Sequence, residues 1–185
     1  MSSASVAGTS AVAPHPARTI VLVGAPAVGK STVGVLLARH LGVPFTDVDE
    51  RIEAHAGRSI RRIFAAEGEA GFRRRELETT LEAIACPGVV ALGGGAVTND
   101  QLRESLRPHH VVWLRVGVDE AVSRAGESTM RPLLVGDVAG KWLALATQRE
   151  PLYAEVATTT FDTDGLTPSE VAVALADIIT RRESE

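Results

Sequence analysis

The run Gly24-Ala25-Pro26-Ala27-Val28-Gly29-Lys30-Ser31-Thr32 leaves this chain the fewest ways to fold. It follows the apolar stretch Thr19-Ile20-Val21-Leu22-Val23 and opens a segment with helical spacing, so the chain passes directly from strand to helix. Glycine at each end of the loop lets the backbone curl until successive N–H groups point inward at an anion. Lys30 is then placed to reach the β- and γ-phosphates of a nucleoside triphosphate, and the Ser31 hydroxyl to hold magnesium. The positive end of the following helix acts on the same anion. A chance match to this pattern, at this composition, is expected in about a few chains per thousand. Residues Ala27, Val28, Gly29, Lys30, Ser31 and Thr32 are therefore the expected phosphate-binding loop.

With 185 residues, 45% hydrophobic and 23% charged, the chain is long enough for one sizeable core. Its 19 basic and 23 acidic side chains leave a formal charge of -4, which argues against a broad basic surface for nucleic acid. All basic residues except Lys30 and Lys141 are arginines, so an arginine gains weight only from its setting. The single cysteine, Cys86, excludes an internal disulfide, fits a reducing compartment and is expected to be a small buried hydrophobe. No apolar run approaches the ~20 residues of a membrane span. Residues 1–17, rich in Ala, Ser and Pro, lack the basic start and apolar run of a secretory signal and are expected to be a disordered extension. A single domain is expected over residues 18–185. The few scattered aromatics are expected in its core.

Along that domain Val33, Leu36, Leu37 and Leu41 recur at helical spacing, with Gly42 as a stop. A strand over Val43–Val48 is expected to end in Asp47-Val48-Asp49. Residues two apart on an extended segment face one side, which would aim both carboxylates into one crevice. A largely helical block from Glu50 to Ala85 is punctuated by Gly57 and Gly68, with Ser59 as an N-cap and Ile60, Ile63 and Phe64 as its apolar face. Within it Arg73 and Glu76 share a face, while Arg74, Arg75 and Glu78 read as solvated surface. Val89–Leu92 reads as a buried strand running into Gly93-Gly94-Gly95, a triplet that packs nothing and so points either to close approach by a ligand or another segment or to a plain tight turn.

Thr98 and Asn99 are expected to cap a helix over Gln101–Leu106, followed by a strand over His110–Leu114 and a helix from about Asp119 to Arg124. Residues 125–136, with glycines near both ends and Arg131 at the centre, read as a lid over a phosphate site, with a plain surface loop as the alternative. Lys141–Leu152 is helical by spacing, Thr158–Thr163 is the last strand, and Pro168 opens a final helix through Ile179. The alternation gives an α/β domain with about five parallel strands, helices on both faces and ligands at the strands' carboxyl ends.

A phosphate loop alone does not choose between a kinase, a motor and a switch. Motors and switches carry an aspartate after an apolar strand to hold magnesium, but Val89–Leu92 ends in glycines. The acidic pair Asp47/Asp49 is the substitute, one carboxylate for the metal and one for an acceptor hydroxyl.

Several blocks occur together and in order: Gly24 to Thr32, Asp47-Val48-Asp49, Gly57-Arg58-Ser59-Ile60 with Ile63-Phe64, Glu67-Gly68-Glu69 leading to Phe72-Arg73 and Glu76, Gly93-Gly94-Gly95, Arg131-Pro132-Leu133-Leu134, and Arg149 with Pro151-Leu152-Tyr153. In these the chain resembles the shikimate kinases over residues 18–185. The resemblance implies a three-layer P-loop NTPase fold of the nucleoside-monophosphate-kinase type, with a five-stranded parallel sheet and a mobile lid. It implies transfer of the ATP γ-phosphoryl group to the 3-hydroxyl of shikimate, giving shikimate 3-phosphate and ADP, in chorismate and aromatic amino acid biosynthesis. Lys30, Asp49 and Arg131 would be catalytic, with Asp49 receiving the substrate hydroxyls. Arg73 and Arg149 would hold the shikimate carboxylate, with Gly93, Gly94 and Gly95 lending backbone contacts. Ser31 and, through water, Asp47 would hold Mg2+, and Arg124 would lie against the adenine.

Glu76 is expected to hold the Arg73 guanidinium in place. ATP and shikimate are the expected partners of a cytoplasmic monomer, with no nucleic acid and no membrane. Asp164-Gly165-Leu166-Thr167 stands where many family members carry a further arginine against the adenine, so Leu166 is expected to give apolar contact only. Other P-loop small-molecule kinases, of gluconate or of a nucleoside monophosphate, and a non-catalytic shikimate-binding sensor are the competing readings. The set Asp49, Arg73 and Arg149 suits a small hydroxy acid better than a nucleotide acceptor.

Overall fold

In the computed structural model, which describes residues 19–121 and 138–183, β1 (Ile20–Val23) is buried along its whole length. The sequence readings on residues 1–18, on Arg124 and Arg131 and on the lid at 125–136 lie outside the described residues. After β1 come α1 (Lys30–Leu41), β2 (Phe45–Asp47), α2 (Val48–Ala56), α3 (Ile60–Ile84) and β3 (Val89–Ala91). A 3-10 turn (Ala96–Thr98), α4 (Asp100–Leu106), β4 (His110–Arg115), α5 (Val138–Val156), β5 (Thr159–Asp162) and α6 (Pro168–Glu183) complete the described order. All strand pairs are parallel, in the order β2-β3-β1-β4-β5, and Val21 of β1 lies opposite Val90 on one side and Val111 on the other.

A parallel sheet covered on both faces needs strands that are apolar on both sides. β1 divides its side chains accordingly. Val21 and Val23 enter a core with Ile52, Ile63, Phe72 and Leu102, and Ile20 and Leu22 enter a second core with Val33, Leu37, Val171 and Leu175. Thus α2, α3, α4 and α5 cover one face, and α1 and α6 the other. All the strands point their carboxyl ends to the same edge, where the loops that follow β1 and β3 and the start of α2 gather.

The cap expected from sequence occurs at α4, and α6 carries one that was not expected. Asn99 accepts from the Leu102 N–H at 3.1 Å. Thr167 and Glu170 cap each other reciprocally, with Glu170 Oε2 accepting from the Thr167 N–H at 2.8 Å and Pro168 in the first turn. Ser59 stands at the N-cap of α3 but makes no side-chain cap bond; Glu53 Oε1 accepts from the Ile60 N–H at 2.8 Å instead. Gly68 breaks α3 at φ 68°, ψ -175°, a conformation open essentially to glycine alone.

Four expectations are corrected. The strand at Val43–Val48 is only Phe45–Asp47, because Val48 already belongs to α2. Cys86 is exposed, since only its carbonyl is engaged in the turn before β3, by the Thr19 hydroxyl at 3.0 Å. Arg75 is not a freely solvated charge: its Nε and Nη2 both donate to Glu67 at 2.9 Å, and Arg58 pairs with the same carboxylate. Finally, α5 runs through Pro151 to Val156, because Leu152, Tyr153 and Val156 are anchored in the core and override the lost N–H. Phe64 also differs from the other aromatics, being 37% exposed while stacking on buried Phe72 at 4.6 Å. Among the described residues, no helix is long and apolar enough to cross a membrane.

Candidate active site

The phosphate loop bends from β1 into α1 through two left-handed residues. Gly29 at φ 94° is the N-cap of α1, and Ala27 at φ 65° is the one non-glycine with positive φ among the described residues. An alanine held there costs about 1–2 kcal/mol, a strain of the kind that collects at functional loops. Lys30 is buried at 8% exposure, with Nζ donating to the carbonyls of Gly24 and Ala25, each at 2.9 Å. Its ammonium group lies under the loop and in reach of anything the loop encloses. Residues 27–33 line a cavity of about 540 Å3 that also reaches Asp49, Gly93 and Gly94. Its far end is formed by Thr163, Leu166, Pro168 and Val171.

Asp47 and Asp49 divide their work in a way an extended strand would not allow. Asp47 is the N-cap of α2, with Oδ1 accepting from the N–H groups of Asp49 and Glu50 at 3.0 and 3.3 Å. Its other oxygen accepts from the Ser31 hydroxyl at 2.5 Å. Asp49, the second residue of α2, lines the cavity together with Ser31. A Cβ placed on Gly93 would stand 2.9 Å from Asp49 Oδ1 and 2.9 Å from Glu76 Oε1.

The glycine triplet has a physical reason at each position. Besides Gly93, a Cβ on Gly94 would lie 3.0 Å from the Pro26 ring, and one on Gly95 would lie 2.6 and 2.7 Å from the two Arg73 Nη atoms. Arg149 Nη1 donates to the Gly94 carbonyl at 3.1 Å, and the Tyr153 hydroxyl donates to the same oxygen at 2.6 Å. Arg73 and Arg149 therefore flank adjacent residues of one turn, which touches the phosphate loop through Pro26. They are not splayed apart. The Arg149 Nε–H is buried and has no acceptor among the described residues, which an anionic ligand would supply.

Glu76 is 2% exposed and pairs with Arg73 Nη1 at 2.6 Å, as expected from their shared face. Burial pushes its carboxyl above the ordinary value; Arg73 and Arg149 oppose that push, and the nearby Asp49 carboxylate adds to it. Arg73 is further paired with Glu69 at 3.4 Å and lies 5.4 Å over the Phe72 ring. Its plane is held from three sides. Burial also pushes the Tyr153 phenol up to about 12, so it stays protonated and donating at any working pH.

Just before Leu166, both oxygens of Asp164 accept from the Gly117 N–H, at 2.8 and 3.0 Å. Leu166, 36% exposed, lines the cavity beside Pro168 and Val171.

The Ser31–Asp47 pair fits magnesium, a hard ion that keeps several waters and takes one or two carboxylate or hydroxyl ligands beside phosphate oxygens. Among the described residues no group of three or more His, Cys, Asp or Glu could hold a metal ion.

Sequence reasoning missed Tyr153 and Trp142, both assigned to the core, although each sends a polar atom to a site loop. A buried Tyr or Trp needs a partner for its polar tip, and that was the available signal. The capping role of Asp47 was likewise readable in Asp47-Val48-Asp49-Glu50, an acidic N-cap with Glu three residues later.

A family model described as shikimate kinase matches residues 26–180. A shikimate kinase of Streptomyces coelicolor is 46% identical over 169 residues, covering 91% of this chain and 99% of that one. One of Mycobacterium marinum is 50% identical over 153 residues, 82% and 83% of the two chains. Among solved structures, a shikimate kinase from Acinetobacter baumannii in complex with shikimate superposes with a TM-score of 0.86 at 37% identity, covering 91% of this chain and 96% of that one. A gluconokinase from Sinorhizobium meliloti, at TM-score 0.60 and 20% identity, shares the fold alone.

Proposed function

The chain belongs to the shikimate kinase family, and we propose that it moves the γ-phosphoryl group of ATP to the 3-hydroxyl of shikimate, releasing ADP. The observation that carries this reading is the convergence of Asp49, Arg73 and Arg149 on Gly93–Gly95, against a phosphate loop that touches the same turn at Pro26. Two guanidinium groups beside one small turn suit a planar carboxylate, and an aspartate facing that turn suits a hydroxyl neighbour of the carboxylate. Phosphoryl transfer asks for positioning and charge neutralisation more than covalent chemistry. Asp49 orients the acceptor hydroxyl and takes its proton, while Lys30 moves from its loop carbonyls to the transferred group. Arg131 and Arg124 are assigned by sequence position to the transferred phosphoryl group and the adenine. Ser31 and, through water, Asp47 would hold Mg2+, which when bound would neutralise charge on the triphosphate.

A cytoplasmic monomer working on free ATP and shikimate, with neither nucleic acid nor membrane, completes the proposal. A coupled ADP-release assay with shikimate, quinate and gluconate tests it: turnover is expected with shikimate and at most weakly with the others. Preference for gluconate would transfer the chain to another acceptor. Asp49→Asn should lower kcat about a hundred- to ten-thousandfold in a folded protein, and a near-normal kcat would remove Asp49 from the proton transfer.

A further inference from the structure

Helix α5 sends three side chains from one face into the two loops of the site. Positions 142, 149 and 153 return to nearly the same side of a helix that turns about every 3.6 residues. Arg149 and Tyr153 both donate to the Gly94 carbonyl. Two turns earlier Trp142, 3% exposed, donates its indole Nε1–H to the Pro26 carbonyl at 2.8 Å, and its ring packs with Ala25 and Ala121. Pro26 and Gly94 in turn touch each other. The phosphate loop, the glycine turn and α5 thus form a closed circuit of contacts, and none of the three shifts without disturbing the other two.

We propose that Trp142 is a positioning residue that ties the phosphate loop to the helix holding the acid clamp, so that filling the triphosphate site tightens the acid site. The inference rests on the kinase reading above. A nucleotide that fixes the loop around Pro26 also fixes one wall of the glycine turn. An acid arriving second then has less ordering to do, which is positive coupling, and it must be reciprocal. Trp142 touches neither ligand: its effect passes through the Pro26 carbonyl.

Calorimetric titration of shikimate with and without saturating ADP reads the coupling directly. The wild-type protein is expected to bind shikimate at least about threefold more tightly with ADP, within the usual range of coupling energies. Trp142→Phe keeps an aromatic ring against Ala25 and removes only the donor. It should bring that ratio to near one while leaving shikimate affinity without ADP unchanged. Tyr153→Phe, at the other end of the circuit, should also bring the ratio to near one, and the double variant should lose no more than either single change. A wild-type ratio of one, or a ratio that survives Trp142→Phe, overturns the proposal, and a lowered melting temperature with the ratio intact marks Trp142 as packing alone. If Trp142→Phe does not fold, Tyr153→Phe decides: a retained ratio there also overturns it. Absence of shikimate binding to the wild-type protein would instead overturn the kinase reading and this inference with it.

Discussion

Glu76 shows how one residue can serve the site at the expense of the fold. Its carboxyl is pushed above the ordinary value by burial, and Arg73 does not fully restore it. The native state therefore holds this proton more tightly than the unfolded chain does. Its contribution to stability is present in acid, below the ordinary glutamate value, and is lost as pH rises through the raised one. Glu76→Gln removes that titration, so its melting temperature relative to wild type should climb with pH from about 4.5 upward. The same change replaces the charged partner of Arg73, 2.6 Å away, by a neutral acceptor and should raise the KM for shikimate more than it lowers kcat. A melting difference that stays flat with pH would refute the raised carboxyl. The pairing itself was legible in sequence, since residues three apart share a helical face. The burial was not, because it depends on Gly93 and Asp49, which arrive from elsewhere in the chain.

At the scale of elements, the β2–α2 junction is where sequence and structure part most usefully. Alternation makes Asp47-Val48-Asp49 look like the end of a strand with paired carboxylates. The helix starts at Val48 because Asp47 satisfies two orphan N–H groups of the first turn. That cap and the contact to Ser31 use different oxygens of one side chain, so two substitutions separate them. Asp47→Asn keeps the cap, since asparagine caps about as well as aspartate, and should leave stability within about 0.5 kcal/mol while raising the magnesium concentration needed for half-maximal activity. Asp47→Ala should show the same magnesium defect and lose about 1 kcal/mol besides, read by denaturant unfolding. Equal magnesium dependence in all three proteins would detach Asp47 from the metal. The helices with clear apolar stripes, α1 and α6, were legible. The passage of α5 through Pro151 was not, because the core contacts of Leu152, Tyr153 and Val156 that sustain it are tertiary.

Across the whole molecule, the two cores on opposite faces of the sheet do different work from the edge where the strands end. Strand order could not be read from the chain, because alternating strands and helices fit several parallel arrangements. What sequence did carry was the location of the site at the carboxyl ends, since the phosphate loop and the glycine triplet each follow directly on an apolar run. A division of labour between core and edge predicts that stability and binding separate in mutants. Leu22 is fully buried in the core shared with α1 and α6, and its side chain reaches none of the cavity. Leu22→Ala should cost about 2–5 kcal/mol in denaturant unfolding, yet below its melting temperature KM and kcat should stay within about twofold. Gly95→Ala is the opposite case. Gly95 has φ -96°, which alanine adopts freely, and the three atoms nearest the new methyl group all belong to the Arg73 guanidinium, at the end of a flexible side chain. Unfolding should change little, while displacement of that guanidinium should raise the KM for shikimate about tenfold or more, the worth of one charged hydrogen bond. If Leu22→Ala damaged binding as much as Gly95→Ala does, the edge would depend on the packing beneath it, and the site could not be treated as loops set on a rigid sheet.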